Sequence, residues 1–158
     1  GEELCICYID PTDVFAERRA KLQTNFCFTC TCEACSLTGD SLKASDHRHK
    51  EYRRLDKAVQ YNGQQDLEEL LDLVLQKTDI IQEEFDGDPH LMQRAFYDGF
   101  QLALLGGDLE TAACWMKRAF EAKILAEGYH AEALQLRAWS EDPLLHPLAS
   151  GAVNGLVE

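Results

Sequence analysis

From residue 46 onward, apolar side chains recur every three or four positions, the spacing of helices that bury one face. Tyr52, Leu55 and Val59 mark a first segment over about 46–62, closed by Asn62-Gly63, a pair suited to a left-handed stop. Leu67, Leu70, Leu71, Val74, Ile81 and Phe85 mark a second over about 65–85, which runs into Asp86-Gly87-Asp88-Pro89. A third, about 89–105, carries Leu91, Ala95, Phe96, Phe100 and Ala103 and stops at Gly106-Gly107. A fourth, about 108–127, carries Leu109, Ala112, Ala113, Met116, Ala119, Phe120 and Ile124, with Gly128 after it. The last, about 130–139, is weaker, and the tail from Glu141 holds two prolines and is ordered only if it docks.

The chain starts in a different pattern. Residues 2–9 place Leu4, Ile6 and Tyr8 on one face and Cys5, Cys7 and Ile9 on the other, which reads as a strand buried on both sides. Asp10-Pro11 ends it. No partner strand follows, so the chain is expected to begin inside a sheet. Thr12 or Asp13 then caps a short helix, along which Phe15, Leu22 and the stems of Arg18 and Arg19 are spaced. The polar stretch Ser36-Leu37-Thr38-Gly39-Asp40-Ser41 reads as a connector. The expected fold class is therefore mainly α, with a short β and cysteine-rich opening before a helical bundle.

The third and fourth segments form two helices joined by a Gly-Gly-Asp turn, with Ala112 and Ala119 one heptad apart. Small residues at that spacing let antiparallel helices approach closely. The pair resembles one tetratricopeptide-type hairpin, with Phe96, Gly107, Leu109, Ala112, Met116 and Ala119 at consensus-like positions. The small residue deep in the first helix is off by one, at Gly99 beside Phe100, and no clean second copy follows. Since helical repeats need about three units to share a core, a small bundle is expected rather than a long superhelix.

Charge narrows the partners. The net charge is −13, with six acids against three bases up to residue 36 and 22 against 12 beyond it. Such a body repels phosphate backbones, which disfavours direct nucleic-acid binding and suits a basic peptide. No run of 18 apolar residues exists, so no membrane span is expected.

Chemistry concentrates in Cys30-Thr31-Cys32-Glu33-Ala34-Cys35. Zinc takes four nitrogen or sulfur ligands at about 2.0–2.3 Å, and a C-x-C-x-x-C knuckle supplies three of them. A disulfide framework is the competing reading; the odd cysteine count and the lack of an apolar leader argue against it, and clustered thiols fit a reduced, intracellular setting, nucleus or cytoplasm. Water, Cys27, Cys5, Cys7, His47 or His49 stand as candidates for the fourth ligand, with Cys27 read as a buried strand-end thiol and both histidines as solvated. Cys114 reads as a buried helix thiol, and Asp86-Gly87-Asp88 as a loop between helices because the other calcium ligands are missing.

Gly1-Glu2-Glu3-Leu4 running into Tyr8-Ile9-Asp10, then Arg18 and Leu22, then Phe26-Cys27-Phe28-Thr29 and the cysteine knuckle, resembles the end of a SET domain with its post-SET segment. More narrowly, the Tyr-Ile-Asp after the strand, the helix of acids and bases and the helices downstream resemble the SET-and-MYND subfamily and related SET proteins. The SET-like part covers about residues 1–35, and the likeness of 46–140 to that subfamily's helical C-terminal domain is looser. The resemblance implies transfer of a methyl group from S-adenosylmethionine to a protein lysine. It implies that Tyr8 lines the methyl-transfer channel, that Phe28 stacks on the adenine, and that Cys30, Cys32 and Cys35 hold zinc. It divides the chain into the SET end and zinc knuckle (1–36), a linker (37–45), a tetratricopeptide-like helical domain (46–140) and a tail (141–158).

The departures matter equally. In the family the fourth zinc ligand comes from an Asn-His-Ser-Cys type segment that also contacts the cofactor, and a Gly-x-Gly motif opens the cofactor site. This sequence has neither, nor a MYND zinc module. The expectation is a C-terminal fragment of a lysine methyltransferase that is inactive without the N-terminal half of its SET domain. The alternative is a helical interaction module that binds basic peptides, with zinc as a structural staple.

Overall fold

The computed structural model describes residues 8–60 and 66–150. Among them are seven α-helices, a closing 3-10 turn and no strand. The mainly α expectation holds, and the SET-derived β segment is not seen. Most of the strand expected over 2–9, like the Asn62-Gly63 stop, lies outside the described residues; Tyr8 and Ile9 are described and are not in a strand. Internal packing divides the chain into two compact units, Gly1–Arg54 and Leu55–Glu158.

In the first unit, α1 (Phe15–Phe26) follows a tight turn in which the Asp10 carboxylate accepts from the Thr12 amide at 2.9 Å and its hydroxyl at 2.7 Å. Neither Thr12 nor Asp13 caps the helix. The cap residue is Val14, which has no acceptor, and the Phe15 amide instead donates to Asp46 of α3 (Gly39–Ala58) at 2.7 Å. Asp13 is buried and ion-paired to Lys21 and Arg53. A cap supplied from 31 residues away leaves no local signature. The helix closes at Cys27, whose φ of 57° is the left-handed turn usually given to glycine or asparagine. A single turn, α2 (Glu33–Ser36), follows.

The third helix begins at Gly39, not near residue 46, so the connector reading of Gly39-Asp40-Ser41 is corrected. The cause is visible on its inner face. Ser45, His49 and Tyr52 follow one another at helical spacing and are all buried, but the first two are polar and hide the periodicity. His49 is therefore a core residue, not a solvated one.

The second unit is conventional. The helices α4 (Leu67–Glu84), α5 (Pro89–Leu105) and α6 (Leu109–Glu127) each start from an aspartate, at 66, 88 and 108, whose carboxylate accepts a first-turn amide at 2.8–3.0 Å. The next, α7 (Ala131–Glu141), starts from His130. Consecutive helices pack on one another from α4 to α7. In the α5–α6 pair, Gly99 lies against Trp115, and Arg118 stands 4.1 Å over the Phe96 ring, so the register runs antiparallel. A Cβ on Gly99 would fall 2.7 Å from the indole, which explains the glycine in mid-helix. Phe100, Met116, Val74 and Ala119 fill the core; a fully buried phenylalanine alone contributes about 1.5–3 kcal/mol.

Among the described residues, three polar side chains lie inside this unit: Lys77, Thr78 and His146. The Lys77 side chain has no exposure and donates to Asp56 and, at 2.9 Å, to Asp98. His146 docks the tail after the 3-10 turn Pro143–Leu145, with its ring among Tyr97, Phe100 and Trp139. Cys114 is exposed, which corrects its reading as a buried thiol: it occupies the outer side of α6, while Trp115 and Met116 point inward.

Candidate zinc centre and its aromatic neighbours

The three knuckle cysteines converge. Their sulfurs all lie within 4.8 Å of one another, and the tetrahedral zinc distance of 2.3 Å would require sulfurs about 3.8 Å apart. Local backbone chemistry produces this convergence. Cys32 is the residue before the single-turn α2, and the Cys35 amide donates to the Cys32 carbonyl at 3.0 Å, folding the loop back on itself. The Ser36 hydroxyl donates to the Thr31 carbonyl at 3.0 Å and closes the other side. Cys35 is buried, Cys30 half-buried and Cys32 exposed, so the cluster opens toward solvent on one side. Three sulfurs so placed fit three corners of a zinc tetrahedron.

The thiols are not equivalent. Partial burial opposes ionisation of Cys32, but the Cys35 amide, the neighbouring thiols and the Ala34 amide outweigh it and lower its pKa. Burial raises the pKa of Cys35, against the opposing pull of the Arg18 guanidinium, and the adjacent Cys32 raises it further.

Cys27 does not join the cluster and is exposed at the end of α1, so its reading as a buried strand-end thiol is corrected. His49 points into the interior, where its Nε2 lies 3.2 Å from Arg18 Nη1. Cys5 and Cys7 lie outside the described residues.

Tyr8 and Phe28 are brought together at the surface. Their rings meet edge to face with centroids 5.7 Å apart, and Phe26 closes a trio at 5.2 Å from Tyr8. Tyr8 is 52% exposed and Phe28 37%, so these rings present an aromatic face to solvent rather than filling a core. Phe26 is a member that sequence reasoning did not single out. Its signal was its position, two residues before Phe28 at the end of α1.

Other clusters are already satisfied. Glu127, His130 and Glu132 lie close together, but the Lys123 ammonium bridges the two glutamates at 2.8 and 3.2 Å. A cleft of about 250 Å³ is lined by Asp56, Asp98, Arg94, Gln101, Leu105 and Leu148, and its carboxylates are held by Lys77 and Arg94. No described helix is long and apolar enough to cross a membrane.

No family model and no solved structure matches the chain. Among curated proteins it is 31% identical over 157 residues to the histone-lysine N-methyltransferase set5 of Schizosaccharomyces pombe, covering 96% of this chain and 48% of that protein. The chain is a relative of the SET-and-MYND-like histone-lysine methyltransferases. A shorter match supports the same relation: the histone-lysine N-methyltransferases SMYD3 of Mus musculus and Homo sapiens are 44% identical over 48 residues, covering 25% of this chain and 11% of each. The chain spans about half the length of its set5 relative. The SET-and-MYND-like relation gives the cysteine knuckle its context, since the thiols that converge are those the resemblance marks as zinc ligands.

Proposed function

We propose that this chain carries the end of a SET-type lysine methyltransferase domain with its post-SET zinc site, followed by a tetratricopeptide-like helical domain. The observation that carries the reading is the convergence of Cys30, Cys32 and Cys35 in a chain aligned over nearly all its length with a histone-lysine methyltransferase. In this reading residues 1–36 are the SET end and knuckle, 37–45 the connection in which α3 begins at Gly39, and 46–140 the helical domain. The chain acts on a protein substrate within the cell, in nucleus or cytoplasm, and its activity requires the cofactor-binding half of a SET domain.

S-adenosylmethionine, bound in the complete domain, supplies an electrophilic methyl group for a lysine amine. The chain's own residues orient and shield. The exposed Tyr8 phenol positions the amine and lends a dipole to the reacting centre. Phe28 offers its ring to the adenine, and the Phe26 edge holds Tyr8 in place. Cys30, Cys32 and Cys35 would hold zinc, which would brace the 30–35 loop beside Phe28.

The test is isothermal titration of S-adenosylmethionine into the zinc-loaded chain, with metal quantified on the same sample. One zinc per chain and no cofactor binding is the expected result. Cofactor binding would overturn the claim that the upstream half is required. Absence of zinc from a folded chain would overturn the zinc site.

A second reading rests on the net charge of −13. The helical unit binds a Lys/Arg-rich peptide, with an affinity that falls as salt rises. Binding indifferent to salt would remove this reading.

A further inference from the structure

Of the side chains around the knuckle, Arg18 touches the most groups and belongs to none of the roles assigned above. It is 6% exposed, in mid-α1. Nη1 donates to the Asp13 carbonyl at 2.7 Å, and Nη2 to the Ala34 carbonyl at 3.3 Å. Nη1 also lies 3.2 Å from His49 Nε2 on α3. Ala34 directly precedes Cys35, so the guanidinium grips the backbone one residue before the innermost thiol. One planar fork therefore holds the backbone beside the innermost loop position and ties it to α1 and α3.

We propose that Arg18 is a positioning residue of the zinc centre: it fixes how the knuckle presents Cys35 and offsets the surplus negative charge of the thiolates around the metal. The inference rests on the zinc reading above.

The charge argument is direct. Three thiolates around a divalent ion leave a net charge of about −1, and a fourth would leave about −2. That surplus is costly next to a buried sulfur unless a cation or hydrogen-bond donors accompany it. A guanidinium is always protonated and has no acceptor, so it can only donate to the carbonyls around it. An Arg18 N–H donating to His49 Nε2 requires that nitrogen to be bare, so the imidazole is neutral and supplies no charge here. The Asp13 carboxylate pairs with Lys21 and Arg53, and Arg18 reaches only that residue's backbone. The guanidinium thus places a fixed positive charge beside the backbone that carries Cys35. Donor groups behind metal ligands tune affinity and spectroscopy in the same way in other metalloproteins.

The test uses the full chain and three variants, Arg18→Met, Arg18→Lys and Leu22→Ala. Zinc affinity is read by competition with a chromophoric chelator, and thiolate electronics by the charge-transfer band of the cobalt-substituted protein. Arg18→Met is expected to weaken zinc about 10–100-fold. It should also move the cobalt band to lower energy, because thiolates that lose a neighbouring positive charge give up electrons more easily. Arg18→Lys keeps the charge and is expected to recover part of both. Leu22→Ala loosens the packing of α1 without touching the charge, and should leave the band in place. An Arg18→Met protein that binds zinc within about twofold of the parent overturns the inference. So does a Leu22→Ala protein with the same band shift, since packing alone would then explain it. A folded parent that takes up no zinc overturns the zinc reading and this inference together, whereas a loaded parent with an unaltered Arg18→Met variant overturns only the second.

Discussion

The two units solve the problem of an interior with opposite materials. Unit Leu55–Glu158 buries mostly apolar side chains, Phe100, Met116, Val74 and a series of alanines, whose contacts need only complementary shape, with Lys77, Thr78 and His146 as polar exceptions. Unit Gly1–Arg54 buries Asp13, Arg18, Ser45 and His49 along with Leu22, Cys35 and Tyr52. Polar interiors depend on direction and on every partner being present, whereas apolar ones lose stability in proportion to what is removed. The first unit should therefore fail abruptly and the second gradually. A metal staple is most useful where the core is small and polar, which is where the thiols lie.

The sharpest way to break the comparison is to remove the staple. Zinc sites with full coordination stabilise small domains by about 10–16 kcal/mol. Chelation, or Cys35→Ser, is expected to abolish amide-exchange protection in α1 while leaving the melting of α4–α7 within about 2 °C of the parent. Loss of protection in both units alike would erase the distinction. A smaller effect is expected in the apolar unit from Gly99→Val, whose side chain collides with the Trp115 indole. It should cost about 3 kcal/mol and lower that unit's Tm by roughly 10–20 °C, measured by circular dichroism.

Lys77→Met tests the one strongly ionic feature of the second unit. It leaves the Asp56 and Asp98 carboxylates, both about a third exposed, without their shared ammonium. The expected loss is about 1–3 kcal/mol by urea unfolding, reduced when Asp98→Asn is added.

The smallest effect is a pH slope. Burial holds the His146 pKa below its usual 6.5, since the ring is packed among Tyr97, Phe100 and Trp139. Its Nδ1 accepts the Leu148 amide at 3.2 Å, so the neutral ring carries its proton on Nε2 and donates a hydrogen bond to the Tyr97 oxygen at 2.8 Å. Below pH 6.5 the unfolded chain takes up a proton that the folded ring refuses. Stability therefore falls as pH drops from 6.5 toward the folded pKa. A His146→Gln protein should lose that part of the slope when thermal melts are compared between pH 7.5 and 5.5, windows set by the ordinary histidine range.

Legibility followed the same division. The third expected helix, 89–105, matches α5 at both ends, because Asp88, Pro89 and Gly106-Gly107 are local signals that act on their own neighbours. The convergence of Cys30, Cys32 and Cys35 was legible for the same reason, the three thiols being near neighbours in sequence. What sequence could not give were polar residues whose partners are distant. Arg18 and His49 are 31 residues apart, as are Phe15 and Asp46, and Lys77 meets acids 21 residues away on either side. Taken singly, each is a charged or polar residue on a helix, and only the fold reveals that it lies inward. The start of α3 was missed through the same blindness, since Ser45 and His49 occupy positions a pattern search reserves for leucine.

The sealed ammonium of Lys77 also makes the protein its own gauge of opening. An amine-reactive ester should acylate Lys43 and the other solvent-facing lysines at once, and reach Lys77 only when α4 parts from its neighbours. Mass spectrometry of that single peptide would then time the breathing of the helical unit without any engineered probe. Labelling of Lys77 as fast as Lys43 would show that the interior of this unit is open to reagents long before it melts.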